Sequence, residues 1–393
     1  SELFGEAILE TDIYLRHFGF SGLSKRTYAL LEDDTRKIVD AYTEGVNAYI
    51  SDREPGQLGL EFAILGLQGV DVGIEPWTVE DSLIWGYVLM FDQSDRLRTE
   101  LRNMDYLATL GEDLYADLRP PYRDDRPVII ETDESDMLVG GDGPHTVTAL
   151  DPQAVDYLAE ISRQMAGGDP MPQLMLDWGF GNVGASNSFA ISPPKSATGA
   201  AILGNDPHMS IQMPALWYQV GMHCVEQSNH CIHSLRGFSL PGVPGILIGH
   251  NDRIAWGLTN ASFDAEDVFI ERINPQNPNQ YEINGQWEDM ALRREEIVVD
   301  GRDEPHVFVV RYTRHGIVAS DSMVEDRPFD YEGDQPQLFA LAYAWTALIP
   351  SHSVQAAYNV NKAQNWAEFN EALEDFHAGK QNWLYADVDG NIG

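Results

Sequence analysis

Apolar residues recur at helical spacing in two segments near the start of the chain. Residues 35–49 repeat apolar side chains at intervals of three and four, which is the pattern of an amphipathic helix with one buried face. A second helix is predicted to open after Thr78, because its hydroxyl can cap the first turn while Asp81 returns a weaker form of the reciprocal bond. Since apolar residues continue beyond this turn, we expect the second helix to run toward Glu100.

From residue 186 onward, alternating apolar and polar residues predict β-strands separated by polar turns. The first predicted strand begins at Ser186, and a second apolar run covers residues 200–203. Further strands are predicted at residues 216–224, 230–235, 296–300, 307–312 and 381–387, with a hairpin turn at 281–285. Helices are predicted at residues 153–165 and 365–376, and an exposed acidic loop at residues 120–143.

Composition places the chain among globular proteins. Its 393 residues suffice for one large or two ordinary domains with a substantial core. A hydrophobic content of 43% with 10% aromatic residues excludes an intrinsically disordered chain. No apolar run approaches the length of a membrane helix, and no recognisable signal peptide begins at Ser1. We therefore expect no membrane span, and a mature or trimmed start.

The charge is strongly negative. Asp and Glu number 62 against 25 Lys and Arg, a formal net charge of −37. Such a surface repels nucleic acid, so a DNA or RNA partner is excluded as a function class. An acid excess with only five lysines resembles proteins of salt-loving organisms, in which molar salt shortens the Debye length to about 3 Å. We favour that interpretation, and an ordinary acidic secreted enzyme is the alternative.

Two cysteines lie among histidines in a short segment. His223-Cys224 is followed by His230-Cys231-Ile232-His233, a concentration of ligand types that can indicate zinc. However, this segment also reads as two strands joined by a polar turn, and neighbouring side chains of a strand point to opposite faces. A hairpin is therefore favoured, whose cysteines can form a disulfide in an exported protein. Zinc binding remains the alternative.

About eighty residues carry an ordered set of short motifs, which together resemble the penicillin acylase family of N-terminal-nucleophile hydrolases. This family includes cephalosporin and acyl-homoserine-lactone acylases. In chain order the motifs are Gly184-Ala185-Ser186-Asn187-Ser188-Phe189, Asn205-Asp206-Pro207-His208, Leu240-Pro241-Gly242-Val243-Pro244-Gly245, Ile248-Gly249-His250-Asn251, Trp256-Gly257-Leu258-Thr259-Asn260 and Asp264-Ala265-Glu266-Asp267.

The resemblance implies an α+β fold of the N-terminal-nucleophile type, an αββα four-layer sandwich with a helical α-chain portion. It divides the chain into an α-chain-like, mainly helical region at 1–166, a removable linker at 167–185 and the first part of a β-chain at 186–393. The family carries a further catalytic Asn and an Arg after the motif in which this sequence ends. By this resemblance, the catalytic apparatus within these 393 residues is incomplete.

The resemblance also implies that the chain makes its own catalytic base. The Ser186 hydroxyl would attack the Ala185 carbonyl, and hydrolysis of the resulting ester would leave Ser186 as a new N-terminus. Its freed α-amino group, with a reference pKa of about 7.7–8.0, could act as the base that a serine nucleophile needs. After the cut, the α- and β-chains would form a heterodimer.

Further roles follow from the same resemblance. His208 is expected to orient the nucleophile, and the main-chain N–H of Asn260 is expected to donate to the oxyanion. The acyl-pocket positions are expected at Met209, Ile248, Leu258, Phe91 and Trp383. Because Met209 and Ile248 are flexible or aliphatic, they favour an aliphatic acyl chain.

A structural calcium site is the one cofactor that the resemblance implies. Its ligands would be Asp264, the carbonyl of Glu266, Asp267 and, from the α-chain, Glu100. Carboxylates close in sequence with a main-chain oxygen suit a hard cation such as Ca²⁺. No organic cofactor is implied, and members of the family point to an extracytoplasmic or secreted location.

The expected function is hydrolysis of the linear amide of an N-acylated small molecule, either penicillin-type or an N-acyl-homoserine lactone. The alternative is an uncleaved, inactive relative that acts as an extracytoplasmic binding or structural protein. A conventional Ser-His-Asp hydrolase is a weaker third hypothesis, because no Gly-x-Ser-x-Gly elbow surrounds Ser186.

Overall fold

The computed structural model describes residues 1–70, 72–94, 96–120, 153–154, 157, 175, 186–209, 215–226, 234–261, 265–322 and 338–393. The helices of these residues are α1 (Leu9–His17), α2 (Phe20–Leu30), α3 (Asp33–Ile50), α4 (Pro55–Leu58), α5 (Leu60–Leu67), α6 (Val79–Asp92), α7 (Arg96–Leu118), α8 (Ser353–Lys362) and α9 (Trp366–Leu373). A short 3₁₀ turn (Gly5–Ile8) precedes α1, and another (Thr346–Leu348) follows a strand and precedes α8. None of the helices described is both long and apolar enough to cross a bilayer.

The first two predicted helices are present, and the second begins as its sequence indicates. Helix α3 covers the predicted residues 35–49. At the start of α6, the Asp81 N–H donates to Thr78 Oγ1 at 3.3 Å, while Asp81 Oδ2 accepts from the Thr78 N–H at 2.7 Å. This reciprocal pair satisfies main-chain donors that a helix start otherwise leaves unpaired.

The prediction that α6 continues toward Glu100 is wrong. Helix α6 ends at Asp92, and α7 begins at Arg96. Between them, the Gln93 carbonyl accepts from the side chain of Asn260 at 2.9 Å, and Ser94 Oγ donates to Glu266 at 2.5 Å. These tertiary bonds hold the chain out of the helical path, and they also place Gln93 beside the cavity described below.

The strands of the described residues form three antiparallel sheets. A seven-stranded sheet has the order β10-β11-β12-β13-β7-β8-β9, a five-stranded sheet the order β14-β6-β5-β4-β3, and β1 pairs with β2. The strands are β1 (Asn187–Ile191), β2 (Ile202–Asp206), β3 (Tyr218–His223), β4 (Ser234–Ser239), β5 (Ile248–His250), β6 (Ile254–Asn260), β7 (Glu266–Asn274), β8 (Asn277–Ile283), β9 (Gln286–Asp289), β10 (Ala291–Ile297), β11 (His306–Tyr312), β12 (Ile317–Val318), β13 (Phe339–Trp345) and β14 (Gln381–Asp387).

Each large sheet carries a layer of helices. Helices α1, α2, α6 and α7 bury aromatic and aliphatic side chains against β13 and β7 of the seven-stranded sheet. Helices α8 and α9 pack on the five-stranded sheet, where Trp256 and Tyr385 are fully buried. Mixed helices and antiparallel sheets confirm the predicted α+β class, with a layer of helices on each of the two large sheets.

Most predicted strands are present, with some shifted boundaries. Strand β14 covers the predicted residues 381–387, and the turn after β8 contains Asn284 and Gly285, both with positive φ. The prediction for residues 296–300 is wrong, since β10 begins at residue 291 and ends at 297. Its half-buried positions carry Arg293 and Glu295, which form an ion pair at 2.9 Å, so this strand has no apolar alternation that the sequence could reveal.

Two antiparallel strands flank the cysteine segment, while residues 227–233, with the predicted turn and most of the predicted second strand, lie outside the described residues. Strands β3 and β4 pair antiparallel, from Tyr218 opposite Ser239 to His223 opposite Ser234. Cys224 is disulfide-bonded, and Cys231 is the only other cysteine of the sequence. A disulfide sulfur is not a thiolate ligand, so the hairpin interpretation is favoured over zinc.

Several predictions lie outside the described residues. They are the acidic loop at 120–143, almost all of the helix at 153–165, and the linker at 167–185. The division into an α-chain-like region and a β-chain therefore stays a prediction.

Two glycines let β4 and β5 approach closely behind the cavity. Gly237 and Gly249 are direct partners in this pair. A Cβ on Gly249 would lie 2.2 Å from the Arg236 carbonyl oxygen, which is main chain and cannot rotate away. We expect Gly249→Ala to lower the free energy of unfolding by about 1–3 kcal/mol, the usual cost of overpacking. Chemical denaturation measures this change.

Gly45→Ala provides the control for that substitution. Gly45 lies within α3, and a Cβ added there meets no atom within 4 Å. Alanine at this position should be neutral or stabilising, since glycine in a helix interior costs roughly 0.5–1 kcal/mol. Equal stability of the two variants would contradict the close approach of β4 and β5.

Candidate active site

Ser186 lies at the mouth of the β1–β2 hairpin. The hairpin register pairs Asn187 with Asp206, so Ser186, one residue earlier, comes opposite Pro207. The next main-chain N–H, that of His208, donates to Ser186 Oγ at 3.3 Å. The hydroxyl therefore accepts a hydrogen bond from the segment that directly follows β2, 22 residues further along the chain.

The ring of His208 bonds to Asp206. Its Nε2 lies 2.9 Å from Oδ2 of Asp206, and the side chain is 41% exposed. The hydrogen bond to Ser186 comes from the main chain of His208, and the orienting role expected of this residue stays a prediction. Pairing with Asp206 accounts for the direction of the ring.

Asn205 fastens the hairpin to β6. Its Oδ1 accepts from the Leu258 N–H at 3.0 Å, and its Nδ2 donates to the Leu258 carbonyl at 2.8 Å. Gly257 makes room for this contact, since a Cβ there would lie 3.1 Å from the Asn205 side chain. Sequence reasoning did not assign this role, although the polar residue inside an otherwise apolar strand was visible.

The main-chain N–H of Asn260 faces the edge of β6 on which Asn205 lies. Ala261, one residue later, donates to the Lys380 carbonyl at 2.8 Å, on the side of β14. Because successive residues of a strand present their N–H groups to opposite edges, the Asn260 N–H faces away from β14. It faces the edge along which Leu258 donates to Asn205, and this edge borders the cavity.

The side chain of Asn260 is anchored by the break between α6 and α7. Its Nδ2 donates to the Gln93 carbonyl at 2.9 Å, while its Oδ1 is buried without a hydrogen-bond partner among the described residues. The anchor fixes the end of β6 and leaves the main-chain N–H of Asn260 available. Gln93 was missed from the sequence because its partner is 167 residues away.

A cavity of about 210 Å³ brings most of the predicted site together. Ser186 and Asn260 lie in its wall. The predicted acyl-pocket residues Met209, Ile248, Leu258 and Trp383 line it as well. Other apolar walls come from α3, α6, α8 and the loop before β5. The lining residues include no Asp, Glu, Lys, Arg or His among those the structure describes, although the whole sequence carries a net charge of −37.

Phe91 is a correction to the predicted pocket. It is 4% exposed and packs against Phe18, with ring centroids 4.5 Å apart, inside the core beneath the seven-stranded sheet. Its neighbours Leu89 and Met90 line the cavity instead. One residue corresponds to about 100° around a helix, so a position chosen by resemblance fell on the wrong face of α6.

Two tyrosines contribute hydroxyls that stay protonated at neutral pH. Burial raises the pKa of Tyr87, which also bonds to Thr27 at 2.6 Å. Burial, with the Asp34 charge as a smaller cause, raises the pKa of Tyr358 to about 12. Both lie in the cavity wall, so neither supplies a negative charge there.

Two indole groups present unused donors. The Nε1 atoms of Trp217 and Trp383 are buried and have no hydrogen-bond partner among the described residues, and both residues line the cavity. The sequence did not indicate a role for Trp217 in the cavity, because this residue lies within a predicted strand, directly before β3. The cavity is therefore apolar with a few donors, a common composition of a small-molecule site.

The implied calcium set is only partly visible. Asp264 and the processing residue Ala185 lie outside the described residues. Asp267 is exposed, Glu100 is half-buried on α7, and the Glu266 carboxylate is bound by Lys380 at 2.6 Å. No group of three or more His, Cys, Asp or Glu in the described parts of the chain is arranged to hold a metal. These residues alone do not assemble a cation site.

Comparison with known proteins gives one consistent result. All of residues 1–393 match the family model described as penicillin amidase. The chain is 26% identical over 400 residues to the acyl-homoserine lactone acylase QuiP of Pseudomonas fluorescens Pf0-1, across 100% of this chain and 43% of that relative. It is 27% identical over 398 residues to penicillin acylase 2 proenzyme of Pseudomonas sp. SE83, across 100% and 45%.

Two further proteins are similar to this chain. The chain is 26% identical over 426 residues to penicillin G acylase of Escherichia coli, covering 100% of this chain and 47% of that one. Among solved structures, a thermostable penicillin G acylase from Alcaligenes faecalis matches with a TM-score of 0.43 and 30% identity, over 52% of this chain and 34% of that chain. The chain thus spans less than half the length of the relatives it matches.

Proposed function

This chain belongs to the penicillin amidase family, and from that premise we propose that it hydrolyses the linear amide of an N-acylated small molecule. The observation that carries the proposal is the shared cavity, in whose wall Ser186 and Asn260 both lie. A nucleophile and a main-chain donor beside one apolar space are what acyl transfer requires.

The proposed reaction has two halves. Ser186 Oγ attacks the acyl carbonyl, and its proton passes to the α-amino group that cleavage after Ala185 would free. The Asn260 N–H stabilises the oxyanion, a contribution typically worth about 2.7–4 kcal/mol of barrier. The C–N bond breaks, the amine leaves with a proton, and an ester remains on Ser186. Water then attacks this ester and releases the acid.

The cavity favours an uncharged, aliphatic acyl group. Its lining among the described residues is uncharged, so a carboxylate or ammonium on the acyl chain would lose its hydration without gaining a partner. Met209, Ile248 and Leu258 give flexible or branched walls that suit a linear chain. The named relatives act on acyl-homoserine lactones and penicillins, and we propose one of these two amide classes for this chain.

A substrate series tests this function. The full-length protein, purified in high salt, is given N-acyl-homoserine lactones with linear acyl chains of increasing length, penicillin G, and an acyl chain ending in a carboxylate. Amine release is measured for each. We expect the linear acyl amides to be hydrolysed and the carboxylate-ended analogue to be spared. If a protein that is cut before Ser186 hydrolysed none of the substrates with an uncharged acyl group, the proposal would be overturned.

Processing, assembly and location belong to the same proposal. We propose cleavage between Ala185 and Ser186, an α/β heterodimer as its product, and an extracytoplasmic protein. The disulfide at Cys224 supports the location, because disulfides persist mainly in oxidising compartments. Calcium bound through Asp264, Glu266, Asp267 and Glu100 is proposed only as a structural ion, and no reaction step depends on it.

A further inference from the structure

A buried carboxylate behind the cavity collects three donors. Glu266 Oε1 accepts from Lys380 Nζ at 2.6 Å and from Ser94 Oγ at 2.5 Å, and its Oε2 accepts from the Tyr343 hydroxyl at 2.5 Å. Glu266 is 2% exposed, Lys380 7% and Tyr343 0%. We call these four residues the Glu266 cluster.

The donors come from three separate elements that surround the end of β6. Ser94 lies between α6 and α7, Tyr343 lies in β13, and Lys380 directly precedes β14. Burial, and next the Glu266 charge, raise the pKa of Tyr343 well above its ordinary value, so its hydroxyl remains a donor. The carboxylate therefore ties α6, β13 and β14 to the first residue of β7.

Both bonds that fix the end of β6 come from residues of this cluster or their neighbours. The Lys380 carbonyl accepts from Ala261 at 2.8 Å. The carbonyl of Gln93, next to Ser94, accepts from the Asn260 side chain at 2.9 Å. A shift of Ser94 or Lys380 would thus move Asn260 directly.

The cluster is close to the cavity without entering it. Gly379 and Gln381, on either side of Lys380, line the cavity, as do Gln93 and Asn260. None of the four cluster residues is among the lining residues. Since breaking a buried ion pair is costly whereas replacing it by apolar residues is often neutral, stability alone is a weak reason for an ion pair at this place.

We propose that Glu266 is a positioning residue, which holds Gln93, Lys380 and thereby the Asn260 N–H in the geometry that the oxyanion requires. The proposal rests on the proposed function, in which Asn260 is the donor. It concerns the side chain of Glu266, whereas the family resemblance implicates only its carbonyl.

Glu266→Gln tests the proposal, because glutamine keeps the size and removes the charge. In the cleaved full-length protein we expect kcat to fall about 10- to 100-fold, as small misplacements do, with KM changed much less. Asp321→Asn is the matched control. Asp321 forms the other strongly buried ion pair of the described residues, with Arg311 at 2.6 Å and side chains 1% and 5% exposed. It should lower stability while leaving kcat of the folded fraction unchanged.

A second measurement does not depend on activity. Amide hydrogen exchange in the peptide covering residues 255–261 should become faster in Glu266→Gln and stay unchanged in Asp321→Asn. If Glu266→Gln does not fold, Glu266→Gln/Lys380→Met takes its place, since it buries no unpaired ammonium. Unchanged exchange in this peptide would overturn the positioning role. A wild-type protein without acylase activity, but with the exchange difference, would count against the proposed function instead.

A kcat loss in Asp321→Asn equal to that in Glu266→Gln would also overturn the proposal, because the effect would then follow from any broken buried pair. Retention of wild-type kcat in Glu266→Gln would do the same.

Discussion

Ser186→Ala is expected to leave the chain in one piece and without acylase activity. Alanine lacks the hydroxyl that would attack the Ala185 carbonyl, so no new N-terminus can form and no acyl-enzyme can follow. Loss of a serine nucleophile typically costs about 10⁴- to 10⁶-fold in kcat. Intact mass and N-terminal sequencing of the full-length protein measure the first effect, and amine release from an N-acyl substrate measures the second.

Ser188→Ala is the control for this variant. Ser188 lies two residues further along β1, where its hydroxyl donates to the Gly204 carbonyl at 3.1 Å. Its loss should leave both cleavage and activity in place. Two polypeptides in Ser186→Ala, one of them beginning at residue 186, would contradict the assignment of the nucleophile. A single chain in both the wild type and the variant would favour the uncleaved binding protein.

Asn205→Leu is expected to give the second large effect, on stability and on activity together. Leucine has a similar shape but cannot bond to Leu258, whose N–H and carbonyl would both lose their partner. A typical intramolecular hydrogen bond contributes about 0.5–1.5 kcal/mol, and this substitution removes two bonds from a half-buried site. Because Leu258 lies in the cavity wall two residues before Asn260, we also expect kcat to fall about 10-fold or more.

Asn205→Asp removes one of the two hydrogen bonds between Asn205 and Leu258 and keeps the other. Aspartate can still accept from the Leu258 N–H, but it cannot donate to the Leu258 carbonyl and places a negative charge beside it. We expect a loss of stability at least as large as in Asn205→Leu, measured by chemical denaturation. Wild-type stability and kcat in both variants would show that the hairpin is held to β6 by other contacts.

Features that depend on residues close together in the sequence were predictable. The capping box at Thr78 involves residues three apart, and the β1–β2 hairpin brings Ser186 to His208 across only 22 residues. Strand β14 has the bounds that its likeness to a strand of the family predicted. The family resemblance then selected Ser186 and Asn260, which propensity alone would have assigned to turns.

Contacts between distant segments were not predictable. Asn205 and Leu258 are 53 residues apart, and Ser94 and Glu266 are 172 apart. No periodicity relates such pairs, since each depends on how the helical layer meets the sheets. The same limitation explains Phe91, whose face of α6 is decided by packing against Phe18 and Trp345. It also explains the end of α6, where tertiary bonds override a helical pattern.

The cavity is built from both sides of the proposed cut. Helices α3 and α6 precede residue 185, whereas the strands and α8 follow residue 186. In the cleaved form, a ligand in the cavity would contact two polypeptides at once and bind neither of them alone. By thermodynamic linkage, its binding free energy would add to the affinity between the chains, by about 2.7 kcal/mol at a hundred times its dissociation constant. The affinity between the two chains of the heterodimer would then rise with the concentration of substrate.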